Sequence, residues 1–212
     1  DLCIQTAESL GVGFHLHVAE DKADVRDSLR RTGLRVVEHL QKVGILGPST
    51  LAAHCIHVDR IETEILLDSG TMVVHNPRSN MNNSVGYARP TRFQAAGQPV
   101  ALGTDGIGAD MLDEFRVAFV RAREHDVTVT PDMVWGWLET GRRLFPETAG
   151  DVVTWDYPVM DPWRLAYSPG VSPKRIEIDG ATVWADGAPT GVDGNEIRAT
   201  AAEAADRLFA KL

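Results

Sequence analysis

Four times in its first 105 residues the chain passes from a helical stretch into a short, almost wholly apolar run. The runs are GVGFHLHV (11–18), TLAAHC (50–55), TMVVHN (71–76) and PVALGTD (99–105). Strands this short and this apolar, without polar alternation, are buried on both faces. Strands of that kind, separated by helices, form a parallel sheet covered by helices. The intervening residues predict helices at 1–10, 21–32, 35–43, 60–68, 91–96, 110–125 and 131–141, with Gly11, Gly33 and Gly44 as stops. Asp59 and Glu62 make a capping box for the helix that begins at residue 60. Thr130 and Pro131 have the chemistry of an N-cap and a first helical residue. Residues 77–90, PRSNMNNSVGYARP, are polar and turn-rich and read as a long functional loop.

After about residue 149 the pattern changes. DVVTWD, KRIEID and ATVWAD are short strands separated by Pro and Gly, and NEIRATAAEAADRLFAKL (195–212) is an alanine-rich amphipathic helix. The expected organisation is therefore an α/β unit over 1–149, a small β segment over 150–191 and a C-terminal helix over 192–212.

Composition narrows the functions open to such a fold. The net charge of −9 argues against nucleic acid as a partner, which needs a basic surface. No apolar run approaches the roughly 18 residues that span a bilayer, so no membrane partner is expected. Cys3 and Cys55 stand in no CxxC pair, which predicts free thiols and a reducing, cytoplasmic location. Cys55, next to His54 on a strand, is expected to point the other way and to serve packing.

The ends of the four strands carry the chemistry. In order they present His15, His17 and Glu20; His54; His75 and Asn76; and Asp105. In parallel α/β folds, active sites are built at that end of the strands. A lone strand-end histidine is ordinarily structural, but four successive strands ending in a ligating or titratable group point to a site. Asp105 follows the apolar run ALG, so it is expected to be buried and to need a partner or a metal. His15 shares a strand face with His17, and two readings stay open for it: pocket lining, or packing behind the site. His75, Asn76, Asn80 and Asn83 are candidate contacts for polar groups of a substrate, although asparagine is also common in turns. Arg78 and Arg89 read either as anchors for an anionic group or as solvated surface. The tryptophans at 135, 137, 155, 163 and 184 are expected in core or interface positions.

HLHVAE, LAAHCIH, VVHNPRSN and ALGTDG, in this order, resemble the second-half motifs of the amidohydrolase superfamily, in its deaminase and chlorohydrolase branch. HNPRSNMNNSVGYAR and GTDGIGADM resemble the aminohydrolase subgroup called SsnA. The resemblance covers roughly residues 1–145 and reaches the tail loosely through VVTWDY and RIEIDGATVWADG. It implies the C-terminal half of a (β/α)8 barrel of the TIM type, with a small β segment and a C-terminal helix. It also implies one divalent metal, zinc or iron(II), in the barrel mouth. Carried over by motif, His17 and Asp105 are metal ligands, Glu20 is the proton shuttle, and His54 holds the attacking water or polarises the substrate. Asp105 also takes a proton from the water. A metal of this kind lowers the pKa of a water to roughly 7. The implied reaction is hydrolysis of a carbon–nitrogen bond outside peptides, with deamination of an amino-substituted nitrogen heterocycle first in line. A chlorohydrolase or amidase of the same fold is the alternative, and a non-catalytic half-barrel that acts as an interaction module is a third.

The family pattern also has a His-x-His pair on its first strand, far upstream of the position of His17. Here only 16 residues precede His17, and the first residue is Asp1 rather than methionine. The expectation is the C-terminal half of a longer chain, working on a small-molecule substrate as a homo-oligomer or together with the N-terminal half.

Overall fold

The computed structural model describes residues 2–157, 161–168 and 170–211. Asp1 and Leu212, which the sequence reading places in the terminal helices, and residues 158–160 and 169 of the expected β segment, lie outside the described residues. The chain forms two compact units, Asp1–Leu144 and Phe145–Leu212.

In the first unit, four short strands form one parallel sheet in sequence order: β1 (His15–Val18), β2 (Leu51–His54), β3 (Met72–His75) and β4 (Val100–Leu102). Before them comes α1 (Leu2–Leu10). Between β1 and β2 lie α2 (Lys22–Thr32) and α3 (Val36–Lys42), and between β2 and β3 lies α4 (Arg60–Ser69). Between β3 and β4 lie α5 (Pro77–Asn82) and α6 (Pro90–Ala95); α7 (Met111–His125) and α8 (Pro131–Arg143) follow β4. The register aligns His17, Ala53, Val74 and Ala101 in one row, and Leu16, Ala52, Val73 and Val100 in the next. Side chains of successive rows point to opposite faces. Helices α6, α7 and α8 pack on β4, and Phe93, Phe115, Phe119 and Trp137 are fully buried.

The helix ends follow local chemistry. Asp59 accepts from the Glu62 N–H at 2.9 Å while Glu62 accepts from the Asp59 N–H at 3.0 Å, so the capping box forms. Asp21 and Asp24 do the same for α2, and the Thr130 hydroxyl caps α8. The run at 77–82, read as loop, is instead helix α5. Its first residue is Pro77, whose missing N–H costs nothing at a first helical position.

Strand β1 is shorter than expected, beginning at His15 rather than Gly11. Gly11 closes α1 in the left-handed region (φ 64°), and Gly13 lies so close to the next segment that an added Cβ would sit 2.0 Å from the Ser49 carbonyl oxygen. Backbone cannot yield to that overlap. Gly13→Ala is expected to lower stability by about 1–3 kcal/mol or more. Gly47→Ala, where a Cβ meets nothing within 4 Å, should leave the thermal midpoint close to wild type. Equal midpoints for the two variants would refute the close approach.

The second unit holds an antiparallel sheet, β5 (Val152–Trp155), β6 (Pro173–Ile178), β7 (Ala181–Ala185) and β8 (Ala188–Pro189), in that order. Asp179-Gly180 and Asp186-Gly187 make its two tight turns, all four residues with positive φ, as two-residue hairpin turns demand. A short helix, α9 (Pro162–Tyr167), was not foreseen. Helix α10 (Gly194–Phe209) forms as expected, but none of its residues is buried. Among the described residues no helix is long and apolar enough to cross a membrane.

Candidate active site

At the C-terminal edge of the parallel sheet, the ends of β1, β2 and β4 deliver Glu20, His54 and Asp105 to one place. His54 Nε2 lies 3.7 Å from Glu20 Oε2 and 3.6 Å from Asp105 Oδ2. The His54 side chain is fully buried, and its Nε2 has no hydrogen-bond partner among the described residues. Its other ring nitrogen, Nδ1, lies 2.8 Å from Asn80 Oδ1. An amide oxygen can only accept, so Nδ1 is the donor to Asn80 and Nε2 is the ring nitrogen that faces the two carboxylates.

The backbone bends sharply to achieve this. Ala19 (φ 47°), His54 (φ 69°), Cys55 (φ 48°) and Asp105 (φ 54°) all occupy the left-handed region, which costs non-glycine residues about 1–3 kcal/mol each. The turn at His54 brings its ring to 5.1 Å from that of His17, edge to face, although in the register His54 pairs with Val18. Cys55 is buried behind it, with Sγ 3.6 Å from the Ala52 carbonyl oxygen.

Asp105 departs from expectation. It is exposed rather than buried, because β4 ends at Leu102 and the left-handed residue starts a 3-10 turn that lifts the carboxylate off the sheet. Ser79 Oγ donates to its Oδ2 at 2.6 Å and the Gly106 N–H to its Oδ1 at 2.7 Å. The Ser79 hydrogen bond, aided by the Gly106 N–H and nearby histidines, holds its pKa below the usual carboxylate value.

A divalent metal fits part of this arrangement. Ligand atoms of His17, Glu20 and His54 all lie within 4.8 Å of one another, and His54 Nε2 has no hydrogen-bond partner among the described residues. That set differs from the expected pair of His17 and Asp105. It gathers Glu20 and His54 around His17 and leaves Asp105 beside the set rather than in it.

The other candidates divide. His15 lies on the His17 side of β1 and is exposed. Asn76 is buried with its Oδ1 unpartnered among the described residues, and its Nδ2 closes against Gly103. His75 occupies the opposite face of the sheet from Val74. Its ring packs edge-on against Tyr87 and Trp137 at 5.9 and 6.2 Å. Arg89 lines a separate cavity of about 460 Å³ with Tyr87, Arg92 and His125. Arg78 is neither anchor nor solvated surface: its Nε is ion-paired with the fully buried Glu114. Ser79 was missed, and Asn83 holds Glu20 Oε1 at 3.2 Å. Pro77 was the available signal, because a helix starting there aims residues 79, 80 and 83 at the strand ends.

Burial, and secondarily the charge of His54, push the His75 pKa down to about 3 from its ordinary 6.5. Between those values the unfolded chain binds one proton more than the folded chain. Stability therefore falls as the pH falls, by about 1.4 kcal/mol per pH unit from this group. His75→Phe keeps the ring contacts and removes the proton site. Its urea-unfolding free energy should decline correspondingly less steeply between pH 6 and 4. An unchanged slope would show that His75 is protonated in the fold.

The family described as "Amidohydrolase family" matches residues 1–134. The chain belongs to the amidohydrolase family. The 5-methylthioadenosine/S-adenosylhomocysteine deaminase of Symbiobacterium thermophilum is 32% identical over 235 residues, covering 97% of this chain and 54% of that protein. The 5'-deoxyadenosine deaminase of Methanopyrus kandleri is 40% identical over 116 residues, covering 53% of this chain and 27% of that protein. The crystal structure of an adenosine deaminase from Xanthomonas campestris with bound zinc superposes with a TM-score of 0.84 at 23% identity, over 97% of this chain and 53% of that one. Atrazine chlorohydrolase from Arthrobacter aurescens TC1, complexed with zinc, gives 0.75 at 21% identity over 92% and 49%. The last two likenesses concern the fold. The chain spans about half the length, or less, of the relatives it matches.

Proposed function

We propose that this chain carries one half of the active site of a metal-dependent hydrolase that deaminates an amino-substituted nitrogen heterocycle. The observation that carries the reading is the buried, unpartnered His54 Nε2 between Glu20 and Asp105. The family and the names of the deaminase relatives support an adenosine-like nucleoside as substrate. The four-stranded parallel sheet is read as strands 5 to 8 of a (β/α)8 barrel, which accords with coverage of about half of the related structures. The second unit would contribute the β segment and the C-terminal helix. The other barrel strands and further metal ligands would come from the half that the relatives carry beyond the match, in the same polypeptide or in a partner.

When bound, zinc or iron(II) would supply a water acidic enough to lose its proton near neutral pH. His17 and Asp105 are proposed as the ion's holders, which would leave Glu20 and His54 Nε2, grouped close to His17, free to act on its water. Asp105, ionised through its Ser79 hydrogen bond, would accept the proton of the attacking water. Glu20, anchored by Asn83, would donate a proton to the ring nitrogen, regain one from the hydroxyl left on the attacked carbon and pass it to the departing amine, and the proton held by Asp105 would then restore Glu20. His54 would orient the water. His15, on the His17 side of β1, and Asn76, directly after β3, are proposed to shape the pocket, and Asn80 would act through His54, while the ring packing of His75 and the separate cavity at Arg89 give no support to substrate contact. The free Cys3 and Cys55 accord with a reducing, cytoplasmic setting.

The test is ammonia release by the full-length protein, loaded with zinc or iron(II), across a series of adenosine-type nucleosides, pterins and triazines. Ammonia from at least one of them is expected. Chloride release from a chlorotriazine without any ammonia release would replace deamination with dechlorination. No metal retained and no product from any compound would leave the interaction module as the function.

A further inference from the structure

The helix found where a specificity loop was expected touches all three groups of the proposed chemistry. From α5 and its C-cap, Ser79 donates to Asp105 at 2.6 Å, Asn80 accepts from His54 at 2.8 Å, and Asn83 donates to Glu20 at 3.2 Å. The three recipients come from the ends of three different strands, β1, β2 and β4. The three holders come from the segment that follows β3. Positions 79, 80 and 83 fall on one side of a helix, with 79 and 83 one turn apart. Asn83 Nδ2 also lies 3.4 Å from Ser79 Oγ, which ties the holders to each other.

The helix is itself held firmly. The Arg78 N–H donates to Glu114 Oε1 at 3.0 Å and Arg78 Nε pairs with Glu114 Oε2, while Arg78 Nη2 donates to the Asp110 carbonyl at 3.2 Å. Glu114 belongs to α7 and is fully buried. Ser79 and Asn80 are 1% and 2% exposed, which leaves them little surface to offer a ligand. Ser79 Oγ is directed at Asp105 and Asn80 Oδ1 at His54, while Asn80 Nδ2 has no partner among the described residues.

We infer that α5 is a positioning template, in which Ser79, Asn80 and Asn83 set the orientation of Asp105, His54 and Glu20. The inference deepens the deaminase reading and rests on it for the kinetic part of its test. Asn80 does more than hold: by accepting from Nδ1 it fixes Nε2 as the ring nitrogen that faces the carboxylates. Groups that orient metal ligands and catalytic side chains in this way are typically worth 10- to 100-fold in activity.

Two measurements on the full-length protein decide it. The first is the tautomer of His54, read from imidazole nitrogen shifts and assigned with His54→Gln. The template requires a proton fixed at Nδ1 in the wild type, the same in Asn80→Asp, which keeps an acceptor oxygen, and mixed tautomers in Asn80→Leu. A single unchanged tautomer in a folded Asn80→Leu variant overturns the role of Asn80. Should Asn80→Leu fail to fold, loss of the Nδ1 tautomer in Asn80→Asp overturns it equally. The second is steady-state ammonia release. Ser79→Ala and Asn83→Ala should each lower kcat by about 10- to 100-fold at unchanged KM. Ser79→Ala should add nothing further in an Asp105→Asn background. A raised KM at unchanged kcat would make α5 a substrate-binding element and overturn the template. A wild type that releases no ammonia sinks the deaminase reading alone, because the tautomer measurement does not depend on turnover.

Discussion

Asp105→Asn is expected to reduce ammonia release by about 10²- to 10⁴-fold, the range for removing a general base. The amide is nearly isosteric: its Oδ1 can still accept from the Gly106 N–H while its Nδ2 donates to Ser79 Oγ, so the 3-10 turn at 105–107 should persist. What it cannot do is take a proton from water or balance positive charge beside His54, 3.6 Å away. The thermal midpoint should therefore stay near wild type while kcat collapses, and the two together are the measurement. A kcat within a factor of three of wild type would remove Asp105 from the chemistry. A large drop in midpoint would instead show that the left-handed turn at this residue needs the ionised carboxylate.

Glu62→Ala is expected to have the largest effect on folding. Glu62 has no exposed side-chain surface, and three groups depend on it: Arg35 Nε at 2.8 Å, the Val37 N–H at 2.9 Å and the Asp59 N–H at 3.0 Å. Removing it strands a partly buried guanidinium and two backbone donors at once. Breaking a buried pair of this kind costs about 3–5 kcal/mol. The lower end is expected, because Asp59 Oδ2 also pairs with Arg35 at 2.9 Å. Urea unfolding monitored by tryptophan fluorescence would measure it, and a loss below about 1 kcal/mol, the level of an exposed pair, would contradict the network. The same arginine donates to the His57 carbonyl at 2.7 Å, so the variant should also loosen the segment that carries His54.

Much of this protein is local and was therefore legible. The Asp59–Glu62 box, the Thr130-Pro131 start and the Asp-Gly turns are interactions within a few residues, and short-range chemistry decides them whatever surrounds them. The four apolar runs carried the parallel sheet, since such strands have no polar face to show to water. Glu20, His54 and Asp105 were legible as candidates because each stands where a strand hands over to a turn.

Other features are long-range, and no spacing along the chain contains them. Whether His75 faces the cluster depends on register, since one residue along a strand reverses the side chain. Apolar neighbours in sequence predicted a buried Asp105, but a left-handed turn carried it outward. Arg78 found Glu114, 36 residues away, and so clamped a helix where composition spoke only of a loop. By itself the sequence determined which residues can do acid–base and ligand chemistry, and on which strand ends they stand. Only the tertiary structure decided that one helix after β3 holds three of them, because a hydrogen bond depends on distance in space, and folding sets that distance.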